Sequence, residues 1–133
     1  MSFLIAAAGT GGHVYPGLAV GEALLDRGVA QTDILYVGGD RMEATVYPDA
    51  GFPFLQVEMR GLQRSASTRN LSLPRVVWRA RDLIAGSMTE RKVHVGLALG
   101  GYITVPTGLA ARRAHLPLMV AEQNAEAGLA NRV

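Results

Sequence analysis

One histidine of this sequence stands in a setting suited to chemistry. Residues 8–17 read AGTGGHVYPG, so that His13 directly follows Thr10, Gly11 and Gly12. Glycine leaves backbone N–H groups uncovered, and a helix N-terminus gathers such groups around a partial positive charge; together they make an anion site. An imidazole there titrates near neutral pH and can accept a proton from a hydroxyl, touch a phosphate, or simply satisfy local backbone. A second glycine turn, GGYITVP (100–106), adds the N–H of Gly101 and the phenol of Tyr102. A third stretch, AEQNA (121–125), sets Glu122, Gln123 and Asn124 in a row. These planar groups suit sugar hydroxyls, an acetamide or phosphate oxygens, and equally well ordinary turn chemistry.

Two common nucleotide fingerprints fail. The dinucleotide pattern GxGxxG has Gly9 and Gly11 but Val14 at its third glycine, and no GK[ST] ending completes a P-loop. His94 and His115 fall at a strand start and a helix end and read as structural. Three histidines without HxH or HExxH spacing, in a chain with no cysteine, give no expectation of a metal site or of a disulfide framework.

Strands and helices must position these groups. FLIAAA (3–8), ILYVGG (34–39), FPFLQVEM (52–59), VHVGLAL (93–99) and LPLMVAE (116–122) are apolar runs of the kind that form strands buried on both faces. Between them lie helical stretches. The first has Pro16 in its first turn and stops at Gly28; RMEATVYPDAG is short and closes at Pro48 and Gly51. Residues 72–89 form a longer helix with Ser72 as cap and Pro74 in the first turn, and VPTGLAARRAH follows β-type VHVGLAL. RGLQRSASTRN reads as a polar loop, and NAEAGLANRV as the start of a further element. The alternation predicts an α/β domain with a doubly wound, Rossmann-like parallel sheet. Ligands of such sheets bind at the carboxyl ends of the strands, so GTGGH, GGD, GGY and EQN, each following a strand, should gather on one edge.

Bulk properties agree. The 133 residues fit one domain, and 49% hydrophobic against 18% charged residues supports a core rather than disorder. The start, MSFLIAAAG, lacks the basic region and long apolar stretch of a signal peptide, and no window approaches the roughly 20 apolar residues of a membrane span; a cytoplasmic location is expected. The formal charge of +2 is uneven: residues 60–92 hold eight basic and two acidic side chains, a local +6 that leaves −4 on the rest. One face is thus suited to an anionic partner.

Three segments, AAGTGGHVYPGLAVGEAL, GDRMEATVYPDAGFPF and GGYITVPTGLAARRAHLPLMVAEQNAEAGLANR, resemble the MurG family of peptidoglycan glycosyltransferases in the same order and at similar separations. The resemblance covers nearly the whole chain and matches the N-terminal half of a GT-B glycosyltransferase, in which two Rossmann-like domains face each other across a cleft. It implies that residues 1–133 are the acceptor- and membrane-side domain and that a C-terminal UDP-sugar-binding domain is absent from this chain. Half a cleft implies a chain inactive alone, since proximity and charge stabilisation need both walls. The implied reaction is an inverting transfer of N-acetylglucosamine from UDP-N-acetylglucosamine to the 4-hydroxyl of lipid I, the undecaprenyl-diphosphate-linked acceptor, giving lipid II. By the same resemblance His13 is the base, with Glu122 as the alternative. Thr10, Gly11 and Gly12 approach a diphosphate, Gly101, Tyr102 and Glu122 line the acceptor side, and Asn124 touches the donor sugar. No cofactor or metal is implied. Two departures stand out: Ala8 replaces a glycine, and TVPTG (Thr104 to Gly108) replaces SGPGG, so that Val105 and Thr107 narrow the space above that turn.

The basic segment then reads as a membrane contact. In helix 72–89, Leu73, Val76, Val77, Trp78 and Leu83 lie amid Arg75, Arg79 and Arg81. Arginines at an anionic membrane surface contribute about 1 kcal/mol each, and tryptophan favours the headgroup zone. The expected location becomes the cytoplasmic face of the bacterial inner (plasma) membrane, with peripheral attachment. No nucleic-acid motif accompanies the basic residues. Two other readings are a subunit of a two-chain glycosyltransferase, with a partner supplying the donor domain, and a non-catalytic binding module for a polyprenyl-diphosphate lipid.

Overall fold

The computed structural model describes residues 1–58 and 73–121. In chain order they form β1 (Phe3–Ala6), α1 (Gly11–Asp26), a 3-10 turn (Gln31–Asp33), β2 (Ile34–Gly38), α2 (Glu43–Asp49), β3 (Phe54–Gln56), α3 (Leu73–Glu90), β4 (Val95–Ala98), α4 (Thr104–Arg113) and β5 (Leu118–Val120). The polar stretch 60–70 and the proposed cap Ser72 lie outside the described residues.

The strands make one sheet in the order β3-β2-β1-β4-β5, and every neighbouring pair is parallel. β1 lies at the centre, with Phe3 level with Ile34 on one side and Val95 on the other. The order reverses at β1, and the crevice at such a switch point is where open α/β sheets bind ligands. Alternate strand residues fill two cores, as strands covered on both faces require. Leu4, Ala6, Leu35, Val37 and Ala98 join Ile84 and Met88 of α3 and Ala110 and Ala111 of α4. Ile5, Ala7, Ile34 and Tyr36 join Val14 of α1, Tyr47 of α2 and Phe52.

The strands are shorter than the apolar runs that announce them. β3 pairs on one edge only, and Pro53 just before it has no N–H to donate, while its carbonyl accepts the Tyr36 N–H at 2.9 Å. α1 begins five residues before Pro16 rather than at it. The Thr10 carbonyl accepts the N–H groups of both His13 and Val14 at 3.0 Å, so the helix nucleates upstream and Pro16 lies inside it.

All four helices of the described residues stop alike. The second residue past the end turns left-handed and bonds back three residues; the next bonds back five and carries an apolar side chain inward. In α1 the pair is Gly28 to Leu25 and Val29 to Leu24, in α2 Gly51 to Pro48 and Phe52 to Tyr47, in α3 Lys92 to Thr89 and Val93 to Met88, and in α4 His115 to Arg112 and Leu116 to Ala111. The turning residues have φ of +92°, +91°, +53° and +57°. His115 is therefore structural, as expected, and so is His94, whose Nδ1 accepts the Ser2 N–H at 3.1 Å.

Candidate active site

Three glycine turns converge where β1, β2 and β4 end. After β1 the chain passes Gly9, at φ +100°, and extended Thr10 before entering α1. The first N–H groups of a helix lack intrahelical acceptors, so those of Gly11 and Gly12 are the donors this turn can offer to an anion. Thr10 does not cap the helix with its side chain; its Oγ1 lies 3.4 Å from His13 Nδ1. After β4, Gly100 and Gly101 are both left-handed, at φ +90° and +82°. A Cβ on Gly101 would stand 3.1 Å from the Ala8 carbonyl and 3.6 Å from His13 Nδ1, so this turn packs directly on the first one.

Tyr102 closes the space between them. Its ring would meet a Cβ on Gly9 at 3.6 Å, its hydroxyl would meet one on Gly39 at 2.9 Å, and that hydroxyl donates to Glu43 Oε2 at 3.4 Å. The other Glu43 oxygen accepts the Gly9 N–H at 3.1 Å, while Oε2 also accepts the Gly39 N–H at 2.7 Å. Glu43 is fully buried. It is the functional candidate that sequence reasoning passed over, because RMEATVYPDAG reads only as a short helix. A glutamate four residues past a glycine pair is its one local signal. Tyr15 was passed over as well: it is 56% exposed, and its ring flanks Gly11 at 3.2 Å from the place of a Cβ.

Thr10, Gly11, Gly12, His13, Gly101 and Tyr102 are thus brought together, whereas Glu122 and Asn124 lie outside the described residues. Thr107 does not narrow the space above the β4 turn. It is fully buried inside the domain with its hydroxyl unpartnered among the described residues, as is that of Thr104. Ala8 is buried in the core beneath α3 and α4.

The proposed membrane group is divided by the fold. Arg75, Arg79 and Trp78 are exposed, Trp78 at 58%, while Val76 and Val77 are half-buried on the inner side of α3. The Arg81 guanidinium lies 5.6 Å over the Trp78 ring and pairs with Asp82 at 2.9 Å, and Asp82 also meets Arg113 of α4 at 3.3 Å. Among the described residues no helix is long and apolar enough to cross a membrane.

This fold, with its site at the switch point of the sheet, defines a Rossmann-type α/β domain of the kind that makes one half of a GT-B glycosyltransferase. The chain belongs to glycosyltransferase family 28, whose N-terminal domain matches residues 3–133. It is 39% identical, over its full length, to the UDP-N-acetylglucosamine–N-acetylmuramyl-(pentapeptide) pyrophosphoryl-undecaprenol N-acetylglucosamine transferase of Amoebophilus asiaticus, of which it covers 37%. It is 42% identical over 99% of its length to the transferase of the same name from Acidithiobacillus ferrooxidans, covering 36% of that protein. The crystal structure of Acinetobacter baumannii MurG superposes on 98% of this chain with a TM-score of 0.83 and 33% identity, over 38% of that chain. The chain thus spans about a third of the length of the curated relatives it matches.

Proposed function

We propose that this chain is the acceptor- and membrane-side domain of an inverting transferase that moves N-acetylglucosamine from UDP-N-acetylglucosamine to the 4-hydroxyl of lipid I. The observation that carries this reading is the position of His13, at the mouth of α1 between the Thr10 hydroxyl and Gly101, in a domain of family 28. With its proton on Nδ1, donated to Thr10 Oγ1, the imidazole keeps the Nε2 lone pair for substrate. Nε2 takes the proton of the acceptor hydroxyl as that oxygen bonds to the anomeric carbon from the side opposite the nucleotide. The bond from that carbon to the UDP oxygen breaks, and its electron pair leaves with the diphosphate. The N–H groups of Gly11 and Gly12 are placed to stabilise a diphosphate through a preorganised helix end. A domain of the same family, supplied in the same chain or by a partner, forms the other wall of the cleft. Arg75, Arg79, Trp78 and the outer edges of Val76 and Val77 hold the domain peripherally on the anionic cytoplasmic face of the bacterial inner membrane, where a lipid-linked acceptor resides.

The test compares this chain with one extended through a family 28 C-terminal domain, each with and without His13→Ala, on UDP-N-acetylglucosamine and a lipid I analogue in anionic micelles. Transfer is expected only in the extended chain, and loss of His13 should lower kcat about 100-fold or more. An inactive extended chain that still binds the lipid would replace this reading with the non-catalytic lipid-binding module, and an unchanged kcat in His13→Ala would remove His13 as the base.

A further inference from the structure

The Glu43 carboxylate touches all three strand-end turns. It accepts the Gly9 N–H from the β1 turn, the Gly39 N–H from the β2 turn and the Tyr102 hydroxyl from the β4 turn, partners separated from it by 34, 4 and 59 residues. A fully buried carboxylate is costly unless donors fill its lone pairs, and here donors from three separate segments do so. The surrounding sequence makes room for it. A Cβ on Gly38 would stand 2.5 Å from Glu43 Cγ and 3.0 Å from the Ala7 carbonyl, so the glycine at the end of β2 clears the path of this one side chain. Gly39 does the same for the Tyr102 hydroxyl.

We infer that Glu43 is a positioning residue that locks the β1 turn, the β2 turn and Tyr102 into one unit and thereby sets the place of His13 and of the Gly11 and Gly12 N–H groups. Its side chain turns the Gly9 N–H inward, which fixes the left-handed entry to Thr10, and Thr10 in turn meets His13. Gly101, whose backbone lies against His13, is held from the other side because Tyr102 is anchored on the same carboxylate. Glu43 acts through these groups and does not meet substrate.

The catalytic consequence rests on the transferase reading above, but the lock itself does not. Amide exchange in the unaltered 133-residue chain tests the lock. The Gly9 and Gly39 amide protons, which bond to a buried carboxylate, should exchange at least tenfold more slowly than those of Gly11 and Gly12, and equal rates would overturn the inference. In Glu43→Gln the protection of at least one of the two should fall tenfold; unchanged protection of both would count against the lock. In the extended transferase the same substitution should lower kcat at least tenfold while KM for UDP-N-acetylglucosamine stays within twofold. A wild-type kcat with protection lost would overturn the positioning role. An extended chain inactive even without substitution would defeat the transferase reading and leave the exchange rates to decide the lock. Those rates need no variant, so a Glu43→Gln chain that fails to fold leaves the inference open to refutation.

Discussion

Gly17 and Gly21 sit one turn apart in α1, where alanine would ordinarily make the better helix. They are glycine because two tyrosine hydroxyls occupy the space. Tyr47 donates to the Val14 carbonyl at 2.8 Å and Tyr36 to the Gly17 carbonyl at 2.7 Å. A Cβ at Gly17 would stand 2.5 Å from the Tyr47 hydroxyl, and one at Gly21 would collide with that of Tyr36. Gly86 of α3 has nothing within 4 Å of the same point. The same substitution should therefore have opposite signs: Gly86→Ala should stabilise by about 0.5–1 kcal/mol through helix propensity, and Gly21→Ala should destabilise by about 3 kcal/mol through overpacking and a strained buried hydrogen bond. Urea unfolding of the two variants checks both signs, and a stabilised Gly21→Ala would refute the steric account. Glycines that open a turn are legible in a sequence because they follow an apolar run, as Gly9 and Gly100 do. Glycines that clear room for a distant hydroxyl are not legible, and neither is Glu43, whose partners lie mostly far along the chain.

The shared helix ending shows at the scale of elements what a sequence states and what it hides. Gly28 and Gly51 announce their helix ends because only glycine enters the left-handed region without cost. Lys92 and His115 take the same role without that advantage, held by the two backbone bonds and by the burial of the apolar residue that follows. A non-glycine residue there carries strain of about 1–2 kcal/mol, part of which glycine would relieve while adding freedom to the unfolded chain. Lys92→Gly should thus raise stability by about 0.5–1 kcal/mol, read as a shift of the unfolding midpoint at constant denaturant slope. A lowered midpoint would mean that the lysine side chain contributes more than its backbone costs. The alternation of strands and helices was legible because buried runs and glycine stops are local signals. The start of α1 was misread because proline marks a first turn only when nothing upstream nucleates the helix, and here the Thr10 carbonyl does. The division of α3 into an exposed Trp78 and half-buried Val76 and Val77 depends on how the helix rolls against the sheet, which composition does not state.

For the molecule as a whole, the tyrosine pair governs behaviour in alkali. The Tyr36 and Tyr47 rings stack at 3.9 Å, with Phe52 edge-on to Tyr36 at 5.0 Å. Burial pushes both phenols well above their ordinary range; for Tyr47 the neighbouring Tyr36 and then Glu43 push in the same direction, and for Tyr36 a backbone hydrogen bond from Gly21 opposes the shift only in part while Glu22 adds to it. The unfolded chain releases these protons near pH 10 while the folded chain retains them, so stability is unaffected by this pair below that pH and falls above it. Two such groups should remove roughly 2.7 kcal/mol per pH unit above pH 10. Urea midpoints between pH 8 and 11.5 measure this, Tyr36→Phe or Tyr47→Phe should each halve the slope, and a flat profile through pH 11 would contradict the burial of both phenols. The gathering of the strand-end turns was legible at this scale, since a parallel sheet delivers every carboxyl end to one edge.

The central place of β1 also governs the order in which the domain can be made. One edge of β1 is covered by β2, but the other waits for β4; even the bonds that tie Ser2 to His94 join residues 92 positions apart. At the roughly 5–20 residues per second of synthesis, β1 spends several seconds with the backbone N–H and C=O groups of one edge unpaired. Nothing made in that interval can close it, because every other strand pairs elsewhere. Phe3 to Ala6, made before the other strands of this sheet, are therefore among the last to be fully enclosed.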